Sequence, residues 1–249
     1  QVKETARLRA TIATSDRLQR EARQGSRPAV DIAADYAERL QGIGGVVTTS
    51  AKPTKLSALL TAGMEALEQS VKAGGCTGLA TGYTKLDDLT AGLQPTDLIL
   101  LAARPGMGKT SLAMNIARTV SKTVPVLVFS MEMSKHQLFL RMLSSESRVD
   151  SHRMRMGWLR DEDWPKLANA MVTLDDAQLY IDDTPSLTVR DVRRRAKALQ
   201  GEHGLGLVVI DYVQLMKGQG ENRTQEVGAI SHGLKALAKE LTVPILALC

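Results

Sequence analysis

The residues Ala103, Arg104, Pro105, Gly106, Met107, Gly108, Lys109 and Thr110 constrain the fold more than any other part of this sequence. They lie between an apolar run at 98–102 and a stretch at 111–121 in which Leu112, Ile116 and Val120 share one helical face. A glycine-rich turn between strand and helix that closes on Gly-Lys-Thr is a phosphate-binding loop in the context it requires. Gly106 and Gly108 let backbone N–H groups turn towards phosphate oxygens, and a helix starting near Lys109 adds the positive end of its dipole. Lys109 then neutralises β- and γ-phosphate charge of ATP, and Thr110 is placed to ligate a bridging Mg²⁺. Arg104, Pro105, Met107 and Ser111 complete the nucleotide-binding loop. Ala103 stands where the motif usually opens with glycine, and its methyl group is tolerable if φ is negative.

Such a loop needs a parallel sheet behind it. Apolar runs at 98–102, 126–129, 179–181, 207–210 and 243–248 are too short for helices and rich in β-branched residues, with helical stretches between them. Right-handed crossovers then predict an α/β fold, a P-loop NTPase core over 75–249 with a mostly parallel sheet. Two acids follow such runs, at the strand ends where open parallel sheets place ligands. Asp211 follows the run at 207–210 and fits a carboxylate that holds Mg²⁺ through water. Glu132 follows the run from Val126 through Met131, and its position fits either a general base that orients the attacking water or a solvated surface acid. Phosphoryl transfer also calls for a further cation near the γ-phosphate, and no compelling candidate stands out before Cys249.

Residues 1–74 have a different character. Leu8, Ile12, Leu18 and Ala22 share a helical face that Gly25 can end, and a second helix from Pro28 carries Val30, Ala33, Ala34, Ala37 and Leu40, which predicts a helical hairpin over 1–45. The glycine- and threonine-rich stretch at 42–53 reads as a connector, and Leu56, Leu59, Leu60, Met64, Leu67 and Val71 form one apolar stripe on a linker helix within 46–74. That stripe packs either on its own domain or on a neighbouring subunit.

Composition narrows the classes further. The 249 residues, 43% hydrophobic, suffice for one good-sized core and a smaller appendage. No apolar run approaches the ~20 residues of a membrane span, and the start at Gln1 carries no signal-peptide pattern, so the chain reads as a cytoplasmic fragment without membrane association. Two distant cysteines, Cys76 and Cys249, and four scattered histidines argue against a disulfide or a metal held by side chains alone. A net charge of +5 suits a polyanionic partner but does not require one.

Several strings together are more specific than the loop. They are Thr81-Gly82-Tyr83-Thr84-Lys85-Leu86-Asp87-Asp88-Leu89, Ala91-Gly92-Leu93-Gln94-Pro95, Phe129-Ser130-Met131-Glu132-Met133, Asp161-Glu162-Asp163-Trp164, Tyr180-Ile181-Asp182-Asp183 and Ile210-Asp211-Tyr212-Val213-Gln214-Leu215-Met216. In these, in their order and in its alanine-led loop, the chain resembles the bacterial and bacteriophage DnaB-type replicative helicases over nearly all of 76–249. The resemblance implies a RecA-like ATPase in a homo-hexameric ring, Glu132 as catalytic base, single-stranded DNA threaded through the centre, and primase and a helicase loader as partners. It makes the helical hairpin the end of an N-terminal domain and the stripe a linker helix docked on the next subunit.

DNA contact is expected of the polar segment at 217–223, through Lys217 or Arg223, although an ordinary surface loop reads equally well there. The run Arg190, Arg193, Arg194, Arg195 and Lys197 is assigned to a solvated helix face. The family continues past Cys249 into a serine-glutamine sensor, a second DNA loop and an interface arginine, so the expectation is a chain cut short at both ends that binds nucleotide and, alone, hydrolyses it poorly. A RecA-type recombinase, a clock-type ATPase and a nonhydrolytic nucleotide-sensing scaffold are the competing readings.

Overall fold

The computed structural model describes residues 2–25, 76–104, 106–218 and 222–249, with isolated positions between 32 and 68. The chain divides into two compact units, Gln1–Glu65 and Ala66–Cys249.

In the first unit, helix α1 (Val2–Gln24) stops where Gly25 takes φ +59°, a left-handed value that costs glycine little. An Arg17–Glu21 pair at 3.0 Å braces its exposed face one turn apart. Of the expected second arm only Ile32, Asp35 and Tyr36 are described, all helical, with Ile32 and Tyr36 buried. The rest of that arm and the connector at 42–53 lie outside the described residues, as do Leu59 and Val71 of the stripe. Leu56, Leu60, Met64 and Leu67 are helical and highly exposed.

The second unit alternates strand and helix. Its elements are α2 (Thr84–Thr90), β1 (Leu98–Leu101), α3 (Lys109–Val120), β2 (Val126–Ser130), α4 (Lys135–Ser147), α5 (Ser151–Met156), α6 (Asp163–Asp175), β3 (Leu179–Asp182), α7 (Val189–His203), β4 (Leu207–Asp211), a 3₁₀ turn (Val213–Leu215), α8 (Arg223–Leu241) and β5 (Ile245–Leu248). All five apolar runs form strands. The last begins at Ile245 rather than 243 because Pro244 has no N–H for the ladder and Val243 N donates instead to Ala238 O at the end of α8. The five strands form one parallel sheet in the order β1-β5-β4-β2-β3.

Alternation along the central strands builds a core on each face. Leu127, Phe129, Val208, Ile210, Ile245 and Ala247 point towards α7 and α8, where Val192, Ala196, Ile230, Leu234 and Leu237 meet them. Val126, Val128, Leu207, Val209, Leu246 and Leu248 point the other way, onto Ala113, Met114, Ile116 and Ala117 of α3 and Leu138 of α4. This double coverage is why the runs lack polar alternation, and each fully buried aliphatic side chain contributes roughly 1.5–3 kcal/mol. A smaller cluster of Leu143, Val149, Leu167 and Ala170 fixes α6 on α4.

Candidate nucleotide site

Every site residue expected from the sequence and described in the structure, apart from the DNA candidates, gathers at the C-terminal ends of the parallel strands. The loop leaves β1 beside β5: Cys249 N donates to Leu101 O at 3.0 Å and Ala103 N donates to Cys249 O at 3.4 Å. Gly106 and Gly108 have φ +80° and +85°, and a Cβ on either would meet nothing within 4 Å. Backbone conformation, not crowding, is what demands glycine there. Gly108 is the N-cap of α3 and has no side chain to occupy the first-turn N–H groups, which stay available to an anion at the positive end of the helix. Lys109 and Thr110 are the first two helical residues. Pro105 lies outside the described residues.

Asp211 ends β4 in register with Ser130 of β2 and is 3% exposed. Its Oδ2 accepts from Thr110 Oγ1 at 2.8 Å, while Oδ1 is buried without a hydrogen-bond partner. Burial pushes the Asp211 carboxyl above the usual carboxylate range; the Thr110 hydroxyl and the Lys109 and Arg141 charges oppose that rise, and the Glu132 charge adds to it. A threonine hydroxyl beside a buried carboxylate oxygen lacking a donor is a hard-oxygen set that fits Mg²⁺.

Glu132 is positioned by the strand next door. Met131 N donates to Asp211 O at 2.7 Å, which carries the β2–β4 pairing one residue past β2. Ser130 Oγ then donates to Met133 O at 2.7 Å and accepts from Met133 N at 3.2 Å, closing a tight turn that leaves Glu132 exposed at its apex. Ser134 follows at once as the N-cap of α4, in a capping box with Gln137. Gly108, Lys109, Thr110 and Glu132 thereby line a single cavity of about 890 Å³, together with Arg104 and Ser111. Lys109 Nζ lies 4.9 Å from the centre of the Tyr212 ring, a cation–π contact that holds the ammonium within the cavity.

Several residues of this cavity were given no role from the sequence, and two of them bear on the charged groups of the site. Tyr212 and Arg141 both line it, and Arg141 also acts electrostatically on Asp211. Arg141 follows Gln137, another lining residue, by four positions on α4. The signal that could have found it is that i, i+4 relation on a helix starting three residues after Glu132.

The assignment of the arginine run to a solvated face holds for Arg190 and Arg194, which are exposed, and needs correction for Arg193, Arg195 and Lys197. Arg195 reaches Asp182 and donates to Thr184 Oγ1 at 2.7 Å, Arg193 pairs with Glu240 at 3.1 Å, and Lys197 pairs with the same glutamate at 2.5 Å. These charges join α7 to the tip of β3 and to α8, because their partners come from elements distant in sequence. Burial raises the Asp182 carboxyl, but Arg195 and Thr184 outweigh it and hold the group below its ordinary range. The DNA candidates divide similarly. Arg223 is committed to Glu226 and to Gln214 O, whereas Lys217 is exposed and is tied through its backbone, its N–H donating to Leu187 O at 3.0 Å. The acidic string at 161–164 is structural at Asp163, which is buried and accepts from Arg153 Nη2 at 2.6 Å and Arg160 N at 3.0 Å.

Residues 78–249 match the family described as DnaB-like helicase C terminal domain. The chain belongs to the DnaB-like helicase family. It is 51% identical over 180 residues to the replicative DNA helicase DnaB of Geobacillus stearothermophilus, covering 70% of this chain and 40% of that protein. Against the Haemophilus influenzae replicative DNA helicase DnaB it is 41% identical over 259 aligned positions, covering 99% of this chain and 55% of the relative. The DnaB-like chain thus spans about half the length, or less, of these curated relatives. Among solved structures, one described as an ATPase domain aligns with a TM-score of 0.74 at 29% identity, over 79% of this chain and 71% of that one. A DnaB-like replicative helicase, described with its interactions with primase, aligns with a TM-score of 0.71 at 26% identity over 99% of this chain and 58% of that one. The fold is therefore the RecA-like ATPase domain of DnaB helicases, and the family is one of nucleotide-using enzymes. No described helix is long and apolar enough to cross a membrane.

Proposed function

We propose that this chain is the motor core of an ATP-driven replicative DNA helicase that works as a homo-hexameric ring on single-stranded DNA. The observation that carries the reading is the meeting of Lys109, Thr110, Glu132 and Tyr212 in one cavity, with Asp211 bonded to Thr110 behind them. In this reading the backbone N–H groups of 106–111 and the Lys109 ammonium take the triphosphate. Thr110, and Asp211 through water, would hold Mg²⁺, which would supply positive charge against the triphosphate. Glu132 faces the γ-phosphate from the adjoining strand tip, where its carboxylate accepts a proton from the attacking water. Arg141 supplies positive charge on the same side of the cavity.

Lys217, and Arg223 once released from Glu226, meet DNA phosphates. The exposed stripe carried by Leu56, Leu60, Met64 and Leu67 docks on the next subunit, which accounts for four large apolar side chains left in water. Primase and a helicase loader are the partners proposed, in line with the primase interactions described for the DnaB-like structure above. Strand displacement by the full-length protein tests the whole reading. The wild type unwinds a forked duplex with ATP and Mg²⁺, and Glu132→Gln does not; unwinding by the variant, or none by the wild type, refutes it.

A further inference from the structure

The Glu132 turn and the polar loop at 217–223 are tied to one another through a third segment, at 182–188. At its first end Asp183 Oδ2 accepts from Lys135 N at 3.0 Å, with the Lys135 ammonium at 3.9 Å from the other oxygen. Lys135 is the first residue of α4, and its N–H is one of the donors that a helix cannot satisfy internally. Ser134 caps Gln137 N, so Asp183 supplies a second cap from another element, at the positive end of the helix where a carboxylate is favoured. The start of α4 lies three residues after Glu132, and Ser130 closes the turn between them. Asp183 therefore fixes the far side of the turn that presents Glu132.

At its other end the segment holds the polar loop. Leu187, buried at 1% exposure, accepts from Lys217 N at 3.0 Å, and Thr188 pairs with Lys217 in a parallel bridge. Gly218 N donates to Glu226 Oε1 at 2.8 Å, and a Cβ on Gly218 would come within 2.6 Å of the Glu226 side chain. Between the two ends the segment is braced: the Asp182 carboxylate accepts from Thr184 N at 3.0 Å and Thr184 Oγ1 at 2.7 Å, and Arg195 holds both residues. The link is five residues long from Asp183 to Leu187, braced at 182–184 and anchored by the buried Leu187, so a shift at Lys217 is carried towards Lys135 N over a short path.

We propose that Asp183 is a positioning residue that couples the backbone at Lys217 and Gly218 to the placement of Glu132, so that DNA held at Lys217 sets the rate of hydrolysis. The inference rests on the assignment of Lys217 to DNA. Asp183 touches neither nucleotide nor DNA; it acts through Lys135 N and the turn that precedes it. Asparagine retains an oxygen that accepts from Lys135 N, whereas alanine does not.

The test uses the full-length protein and an oligothymidylate, and compares ATPase kcat and KM with and without DNA for wild type, Asp183→Ala and Asp183→Asn. Binding of the labelled oligonucleotide is followed by anisotropy. In the alanine variant the stimulation of kcat by DNA falls about fivefold or more, the lower end of ordinary coupling energies. Its KM for ATP and its DNA affinity stay within about twofold of wild type, and asparagine restores stimulation. A merely structural cap gives equal losses with and without DNA, and that result, or unchanged stimulation in Asp183→Ala, overturns the coupling. If the wild type fails to bind the oligonucleotide, the absent anisotropy change refutes the DNA assignment itself, and the coupling falls with it.

Discussion

At the scale of single residues the site separates binding from chemistry. On the proposed reading Lys109, in the first turn of α3, takes the phosphates, so Lys109→Ala removes nucleotide binding, read as loss of fluorescent ATP-analogue affinity. Glu132, the proposed general base, shares no hydrogen bond with that turn, so Glu132→Gln retains binding and loses about 10²–10⁴ in kcat, the range for a removed general base. An equal loss of affinity in both variants would contradict this division. Asp211 adds a pH signature. A carboxyl raised above its ordinary value of about 3.9 contributes most to folding below that value, and the contribution is lost as pH rises through the raised one. Asp211→Asn removes that loss, so the melting temperature of the nucleotide-free variant gains on wild type as pH rises above the ordinary carboxyl value of about 3.9. Mg²⁺-dependent nucleotide binding shows the opposite trend in wild type, weakening as acid neutralises Asp211. A melting difference that does not change with pH would show that burial is not what governs this group.

At the scale of elements, the helix starts carry the site's geometry. Ser134 and Thr188 both form capping boxes, with Gln137 and Asp191, and each starts a helix next to a functional loop. Thr188→Ala costs about 1 kcal/mol in urea unfolding, with the midpoint moved and the slope unchanged. Gly206 is a tighter constraint. Its Cβ would come 2.6 Å from Val124 Cβ, where β4 starts and Gly206 N donates to Pro125 O. Gly206→Ala therefore shifts β4 against the connection before β2 and destabilises the sheet by more than the cap substitution, about 1–3 kcal/mol. Equal midpoints for the two variants would count against that close approach.

At the scale of the whole molecule, Leu60, Met64, Leu67 and Lys217 are exposed among the described residues, and the proposed function gives each of them a partner. Replacing Leu60, Met64 and Leu67 together by serine lowers the hexamer population in native mass measurements with Mg²⁺ and a nonhydrolysable ATP analogue, while nucleotide binding persists. Lys217→Ala weakens oligothymidylate binding uniformly across base composition and reduces the salt slope by about one unit of log–log dependence. Unchanged oligomers, or an unchanged slope, would remove the corresponding contact from the proposal.

The local pattern of the chain determined a large part of this arrangement. Continuous apolar runs mark all five strands because both faces of the sheet are covered, and Gly106, Gly108, Lys109 and Thr110 carry their chemistry in their order, since a phosphate loop is built from consecutive backbone groups. The placing of Asp211 and Glu132 at strand tips was equally legible, because each ends a buried run. Strand order, by contrast, is a matter of which edges pair, and the sequence does not say that β5 lies between β1 and β4. For the same reason the partners of Arg195, Arg193 and Lys197, the cavity position of Arg141 and the Asp183–Lys135 contact were decided only by tertiary structure: each joins residues whose separation along the chain carries no information about their separation in space.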